Sequence, residues 1–251
     1  MRQIYTQDIL VDSNAIDFDG KFKLPSVMKH FQNGASEHAA ELGVDYFKLK
    51  EKSNAFWVIT KIRLQVLRYP AWNEKLEMRT WPLTPGLIKV NRDFDFRDRK
   101  GEAVIRGISE WCVLDGDTRR PRKLTSTCYP VEFEHWNCHA LDCQFRRFEE
   151  EVTTGDLVYE KTVRQSDLDL NYHMNNTVYT EMALDCFTAA ELSEFDIDDF
   201  EIHFATECRE GDVVQMYRKQ TNDGYYIEGI RADSLSTVFQ VCLKTRNTSR
   251  A

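Results

Sequence analysis

Asp17-Phe-Asp19-Gly-Lys21-Phe-Lys23-Leu-Pro25-Ser26-Val-Met28 is echoed 150 residues later by Asp167-Leu-Asp169-Leu-Asn171-Tyr-His173-Met-Asn175-Asn176-Thr-Val178. Both aspartates recur, and aromatic or aliphatic residues fall at corresponding places. A second echo sets Pro70-Ala-Trp-Asn-Glu74-Lys-Leu-Glu-Met78 against Cys208-Arg-Glu-Gly-Asp212-Val-Val-Gln-Met216, at an offset of 138. The drop in offset means about twelve fewer residues between helix and strand in the second copy, which a loop difference accommodates.

Each copy holds one principal helix. Ser26–Leu42 places Val27, Phe31, Ala35, Ala39 and Leu42 at three-to-four spacing, with Gly43 after it as a stop signal. Asn176–Leu192 does the same with Val178, Met182, Cys186 and Ala190 behind an asparagine suited to N-capping. Around them lie β-rich segments: Phe56–Tyr69, Lys75–Trp81, Ile88–Phe96, Ala103–Leu114, Leu157–Val163, Phe200–Thr206, Asp212–Lys219, Tyr225–Ala232 and Ser236–Lys244. The expected architecture is α+β: two copies of one unit, residues 1–130 and 153–251, each an antiparallel sheet wrapping its helix. The polar stretch 131–152 reads as a connector.

Composition narrows the function classes. The 251 residues carry a net charge of −8. Residues 1–125 hold 22 basic and 17 acidic side chains, net +5; residues 126–251 hold 11 and 24, net −13. An acidic total gives no general case for nucleic-acid binding. No apolar run nears the roughly 18 residues of a membrane helix. The seven scattered cysteines and the lack of a secretory signal at the N-terminus lead us to expect free thiols and a cytoplasmic protein. There is no Walker loop or dinucleotide fingerprint, and Gly34-Ala-Ser36-Glu-His38 fails the nucleophile-elbow pattern at its last position. His135, Cys138, His139, Asp142 and Cys143 crowd nine residues but lack the second knuckle of a structural zinc site, so no metal is expected.

The repeat is informative where its copies differ. In this alignment the second copy has Asn171 and His173 where the first has Lys21 and Lys23, and Glu207 and Cys208 where the first has Tyr69 and Pro70. Asp169, Asn171 and His173 alternate, so in extended backbone they project to one side. They precede a helix N-terminus at Asn175 and Asn176, whose amides and dipole suit a developing oxyanion.

These residues resemble a known family. Leu168-Asp-Leu-Asn-Tyr-His-Met-Asn-Asn176 followed by Phe204-Ala-Thr-Glu-Cys-Arg-Glu-Gly211 is similar to the acyl-acyl-carrier-protein thioesterases of plant plastids and bacteria, which are double hot-dog enzymes. Trp57-Val-Ile-Thr-Lys-Ile-Arg63, Arg68-Tyr-Pro-Ala-Trp72, Thr80-Trp81, Asn91-Arg-Asp93 and Thr118-Arg-Arg120 continue the resemblance through the first half. It implies a tandem hot-dog fold, hydrolysis of fatty acyl thioesters of acyl carrier protein without a cofactor, and an active-site set of Asp169, Asn171, His173, Glu207 and Cys208. The missing plastid transit peptide favours a bacterial-type enzyme or a mature chain. An acyl-CoA thioesterase, a non-catalytic acyl-binding protein and a hot-dog dehydratase are the rivals.

Two chemical routes are open. Cys208 can attack the thioester as thiolate, with His173 as base. Alternatively His173 or Glu207 deprotonates water and Cys208 only lines the site. Asn171 carries no charge and can orient but not deprotonate; Asp169 is placed to fix the imidazole tautomer. By resemblance the first half shapes the acyl tunnel, with Val27, Met28, Phe31 and Trp57 as candidates. An acidic carrier calls for a basic surface, and Arg119, Arg120, Arg122 and Lys123 form the densest run, ahead of Arg97, Arg99 and Lys100. A monomer and a homodimer are both compatible with the sequence.

Overall fold

A computed structural model of the chain describes residues 2–141, 145–148 and 155–247. The chain divides into two units, Met1–Cys143 and Gln144–Ala251.

In the first unit the elements run β1 (Tyr5–Leu10), α1 (Leu24–Glu41), α2 (Tyr46–Ser53), β2 (Ala55–Val66), β3 (Lys75–Pro82), β4 (Lys89–Arg97) and β5 (Ala103–Asp115). The strands form an antiparallel sheet in the order β1-β3-β4-β5-β2. Helix α1 turns Val27, Met28, Phe31 and Ala35 inward, all under 5% exposed. Phe31 stacks on Phe94 at 4.1 Å between centroids. Gly107 on β5 makes room for the same ring: a Cβ there would come within 2.3 Å of Phe31. The helix ends as expected, with Leu42 as C-cap and Gly43 at φ +72.

The second unit repeats this plan with β6 (Asp156–Thr162), α3 (Asn176–Leu184), α4 (Ala189–Ser193), β7 (Phe195–Phe204), β8 (Val213–Gln220), β9 (Gly224–Arg231) and β10 (Thr237–Asn247). Its order, β6-β8-β9-β10-β7, matches the first sheet element for element. Tyr179 of α3 packs edge-on to Phe204 and Phe239 at 5.4 and 5.2 Å. The helix expected over 176–192 is broken. It stops at Asp185, and Thr188 and Glu191 cap each other reciprocally to start α4. The break lets Phe187 turn onto Tyr225, at 4.8 Å, beneath the Arg218 guanidinium. The acidic run Asp196–Asp199 hid the start of β7, five residues before the expected Phe200.

Backbone hydrogen bonds fix the repeat register, and they correct the first offset from 150 to 152. Asp17 N donates to Lys21 O as Asp169 N does to His173 O; Lys23 N donates to Ala15 O as Asn175 N does to Asp167 O. The isolated bridges Ile16–Phe22 and Leu168–Met174 agree. His173 therefore corresponds to Lys21, and Asn171 to Asp19. The 138 offset stands: Val11 N donates to Glu74 O, and Val163 N to Asp212 O.

Parts of the stretch expected to be a connector are hydrogen-bonded to the unit in which they lie. Cys138 O accepts from the Trp81 indole at 2.8 Å, and Ala140 N donates to Asp93 at 2.6 Å, both within the first unit. Arg146 belongs to the second unit, paired with Asp199 at 3.0 Å. Asp142 and Cys143 lie outside the described residues. His135 contacts the Tyr129 hydroxyl at 3.2 Å, and among the described residues no cluster of three metal-ligating side chains occurs.

Candidate active site

Between β6 and α3 the chain makes a 3-10 turn at Gln165–Asp167, then a tight loop closed by the Leu168–Met174 bridge. The loop Asp169–His173 is not extended, as the alternation argument assumed. Asp169 N donates to His173 O at 2.8 Å and Tyr172 N to Asp169 O at 3.1 Å, with Tyr172 at φ +59. The first unit places Gly20, at φ +74, at the matching position. Asp169 Oδ1 accepts from the amides of Asn171 and His173, at 2.7 and 3.3 Å. Asp169 thus organises the backbone of the loop. Its Oδ1 is committed to these main-chain donors rather than to the imidazole.

The carboxylate beside the His173 ring is that of Glu207. After β7, Ala205 and Thr206 donate their amides to Val238 O, and Cys208 O accepts from Met174 N at 2.8 Å. This last bond joins the two segments and sets His173 Nε2 3.3 Å from Glu207 Oε2. His173 is buried, with a side chain 10% exposed, whereas the Glu207 side chain is 38% exposed and open to water. In the first unit the matching positions hold Lys21, whose ammonium lies 5.8 Å over the Tyr69 ring. A histidine–carboxylate contact occupies one copy and a cation over an aromatic ring the other.

Cys208 is wholly buried. Burial pushes its thiol up to about 11, against the opposing effect of Arg231. Its amide donates to the Tyr179 hydroxyl oxygen at 3.2 Å, and Sγ lies 3.9 Å from Arg231 Nη2. Such a thiol is a poor nucleophile at neutral pH. Asn171 is half-buried in the same loop as His173. Asn175, rather than Asn176, is the cap of α3: its Oδ1 accepts from Thr177 N at 3.0 Å, and Asn176 is the first helical residue. All five expected residues lie on these two joined segments of the second unit.

The other expected residues separate. Val27, Met28 and Phe31 are core of the first unit. Trp57 packs instead against a cluster of Leu42, Val44, Leu49, Ala55, Val90, Val113, Leu124 and Tyr129, which includes none of those three. Arg119, Arg120 and Lys123 are exposed. Arg122 differs: its guanidinium reaches the carbonyls of Ser53 and Ser126 and pairs with Asp115 at 3.6 Å, so it anchors the turn. Arg231 and Tyr179 were missed, because each lies more than twenty residues from the segment it contacts.

Residues 2–130 match the family model of the acyl-ACP thioesterase N-terminal domain, and residues 150–245 that of the acyl-ACP thioesterase C-terminal domain. The chain belongs to the acyl-ACP thioesterase family. It is 27% identical over 229 residues to an acyl-[acyl-carrier-protein] hydrolase FATB3 of Cuphea viscosissima, a match covering 84% of this chain and 53% of that protein. It is 24% identical over 227 residues to oleoyl-acyl carrier protein thioesterase 2 of Arabidopsis thaliana, covering 84% and 61%. Both relatives are chloroplastic. The chain spans about half the length of the curated relatives it matches. Among solved structures, an acyl-ACP thioesterase from Bacteroides thetaiotaomicron superposes with a TM-score of 0.87 at 23% identity, covering 97% of this chain and 98% of that one. A 12:0-ACP thioesterase from Umbellularia californica gives 0.85 at 21%, covering 99% of both chains. The family's fold is thus the fold of this chain, and the double hot-dog expectation holds.

Proposed function

We propose that the protein hydrolyses fatty acyl thioesters of acyl carrier protein, releasing the free fatty acid and the carrier thiol. The observation that carries this reading is the His173–Glu207 contact at 3.3 Å, present in the copy whose loop bears the family's motif. The pair takes a proton from water as the hydroxide oxygen bonds to the thioester carbon. The carbon–sulfur bond then breaks, and the same proton returns to the departing thiolate. Asp169 holds the loop that carries the imidazole, and the start of α3 at Asn175 and Asn176 supplies a positive dipole end near the developing oxyanion. Cys208 lines the site without bonding to substrate. The six described cysteines are free thiols, which suits a reducing compartment and a cytoplasmic setting. Among the described residues no helix is long and apolar enough to cross a membrane.

The exposed Arg119, Arg120 and Lys123 belong to this proposal as contacts for an acidic carrier. Val27, Met28, Phe31 and Trp57 belong to it as candidates for the acyl-chain tunnel. The test is hydrolysis across a panel of acyl-carrier chain lengths, each paired with the same acyl group on CoA. Higher kcat/KM on the carrier is expected. Equal or higher efficiency on CoA would make this an acyl-CoA thioesterase, and no hydrolysis of either would leave an acyl-binding protein.

A further inference from the structure

In each copy a carboxylate at the matching position pairs with an arginine, but the two arginines come from different elements. In the first unit Glu74 receives Arg68 from the end of β2, with Nη1 and Nη2 at 3.0 and 2.6 Å from its two oxygens. Asp98 lies 3.7 Å from the same guanidinium. In the second unit the carboxylate is Asp212, and the position of Arg68 is taken by Thr206: both amides donate to the matching carbonyl of the last strand of their sheet, Val104 and Val238. The position of Asp98 is taken by Arg231, since Asp98 N donates to Glu102 O across one turn and Arg231 N to Ser236 O across the other. Arg231 Nη1 pairs with Asp212.

The arginine of the second unit also reaches the loop that precedes Asp212. Arg231 Nη2 donates to the Glu207 carbonyl at 2.6 Å and lies 3.9 Å from Cys208 Sγ. A single planar guanidinium therefore grips Asp212 with one nitrogen and the main chain of Glu207 with another, a geometry that a lysine ammonium does not reproduce. We infer that Arg231 is a positioning residue, which fixes the Glu207–Cys208 turn and so sets the Glu207 carboxylate against His173. The inference rests on the proposed hydrolysis at that pair. The hydrogen bond from Met174 N to Cys208 O holds the same turn from the other side, at 2.8 Å. The segment is thus held between the entry to α3 and β9, whereas in the first unit the matching carbonyl, that of Tyr69, is reached at 3.4 Å by Arg68, the residue next to it in the chain.

The experiment separates positioning from simple neutralisation of Asp212. Arg231→Met removes both contacts. The double variant Asp212→Asn, Arg231→Met also removes the carboxylate charge, so no unpaired carboxylate is left while the Glu207 carbonyl still lacks its donor. Arg231→Met is expected to lower kcat about 100-fold with KM changed less than about twofold. The double variant is expected to recover the thermal midpoint of the wild type and not its kcat. Arg231→Lys, which keeps the charge without the fork, is expected to fold normally and lose about tenfold in kcat. Wild-type kcat in the double variant overturns the inference. Should the double variant fail to recover its midpoint, wild-type kcat in folded Arg231→Lys overturns it instead. An inactive wild type would refute the hydrolytic reading as well, and the two failures are told apart by the wild-type assay alone.

Discussion

Replacing Cys208 by serine separates the two chemical routes, and the structure sets the size of the difference. The thiol is fully buried, and burial pushes its pKa up to about 11. At about pH 7.5 roughly one molecule in 3,000 would then carry a thiolate. A covalent route would draw on that fraction and its rate would climb about tenfold per pH unit through the alkaline range. Serine, with a far less acidic hydroxyl in the same buried position, would abolish it. A water route uses the His173–Glu207 pair, 3.3 Å apart, and needs Cys208 only as packing. Cys208→Ser should therefore keep kcat within about tenfold of wild type, whereas Glu207→Gln and His173→Ala should each lose about 10²–10⁴-fold. The assay is steady-state hydrolysis of an acyl-carrier substrate between pH 6 and 10, with intact-protein mass spectrometry of quenched reactions. An acyl adduct on Cys208, or a loss in Cys208→Ser greater than in Glu207→Gln, would refute the reasoning.

Further outcomes follow from particular contacts. Tyr172→Gly should stabilise the protein: the αL conformation costs an L-residue about 1–2 kcal/mol, glycine's extra unfolded-state entropy returns about 0.5–1, and the difference should appear as a higher denaturation midpoint. Gly107→Ala drives a methyl to within 2.3 Å of the Phe31 ring; about 1–3 kcal/mol of lost stability is expected, read by calorimetry at about 2–4 °C per kcal/mol. Reversing the charge of Arg119, Arg120 and Lys123 together should raise KM about tenfold for carrier-bound substrate only, while Arg122→Glu should instead lower the melting temperature, because its guanidinium ties Ser53, Ser126 and Asp115.

Much of the site was legible in the sequence as a set of residues and little of it as a set of contacts. Asn171, His173, Glu207 and Cys208 stood out because they break the internal repeat, Asp169 because it belongs to the same motif, and the five do share two joined segments. Their roles followed from geometry that spacing does not encode. The alternation of Asp169, Asn171 and His173 suggested an extended strand, but Tyr172 takes a positive φ and the loop folds back, so Asp169 spends its Oδ1 on amides. Arg122 read as one cation among four in a basic run, and only its reach across to Ser53 makes it an anchor.

The sequence alone determined the architecture. Periodicity of 3.6 in Ser26–Leu42 and of two in the β segments is local, and the duplicated Asp-containing stretch announced the two units without any knowledge of contacts. Tertiary structure decided what depends on register and side-chain reach. It shifted the repeat offset from 150 to 152, which matched His173 with Lys21, and it broke the second helix at Asp185. It also placed Glu207 at an imidazole 34 residues earlier and Arg231 behind both Glu207 and Cys208. The physical reason is the same in each case. A backbone preference is set by neighbours within a few residues, whereas a histidine–carboxylate contact forms where two distant segments are joined by a hydrogen bond such as Met174 N to Cys208 O.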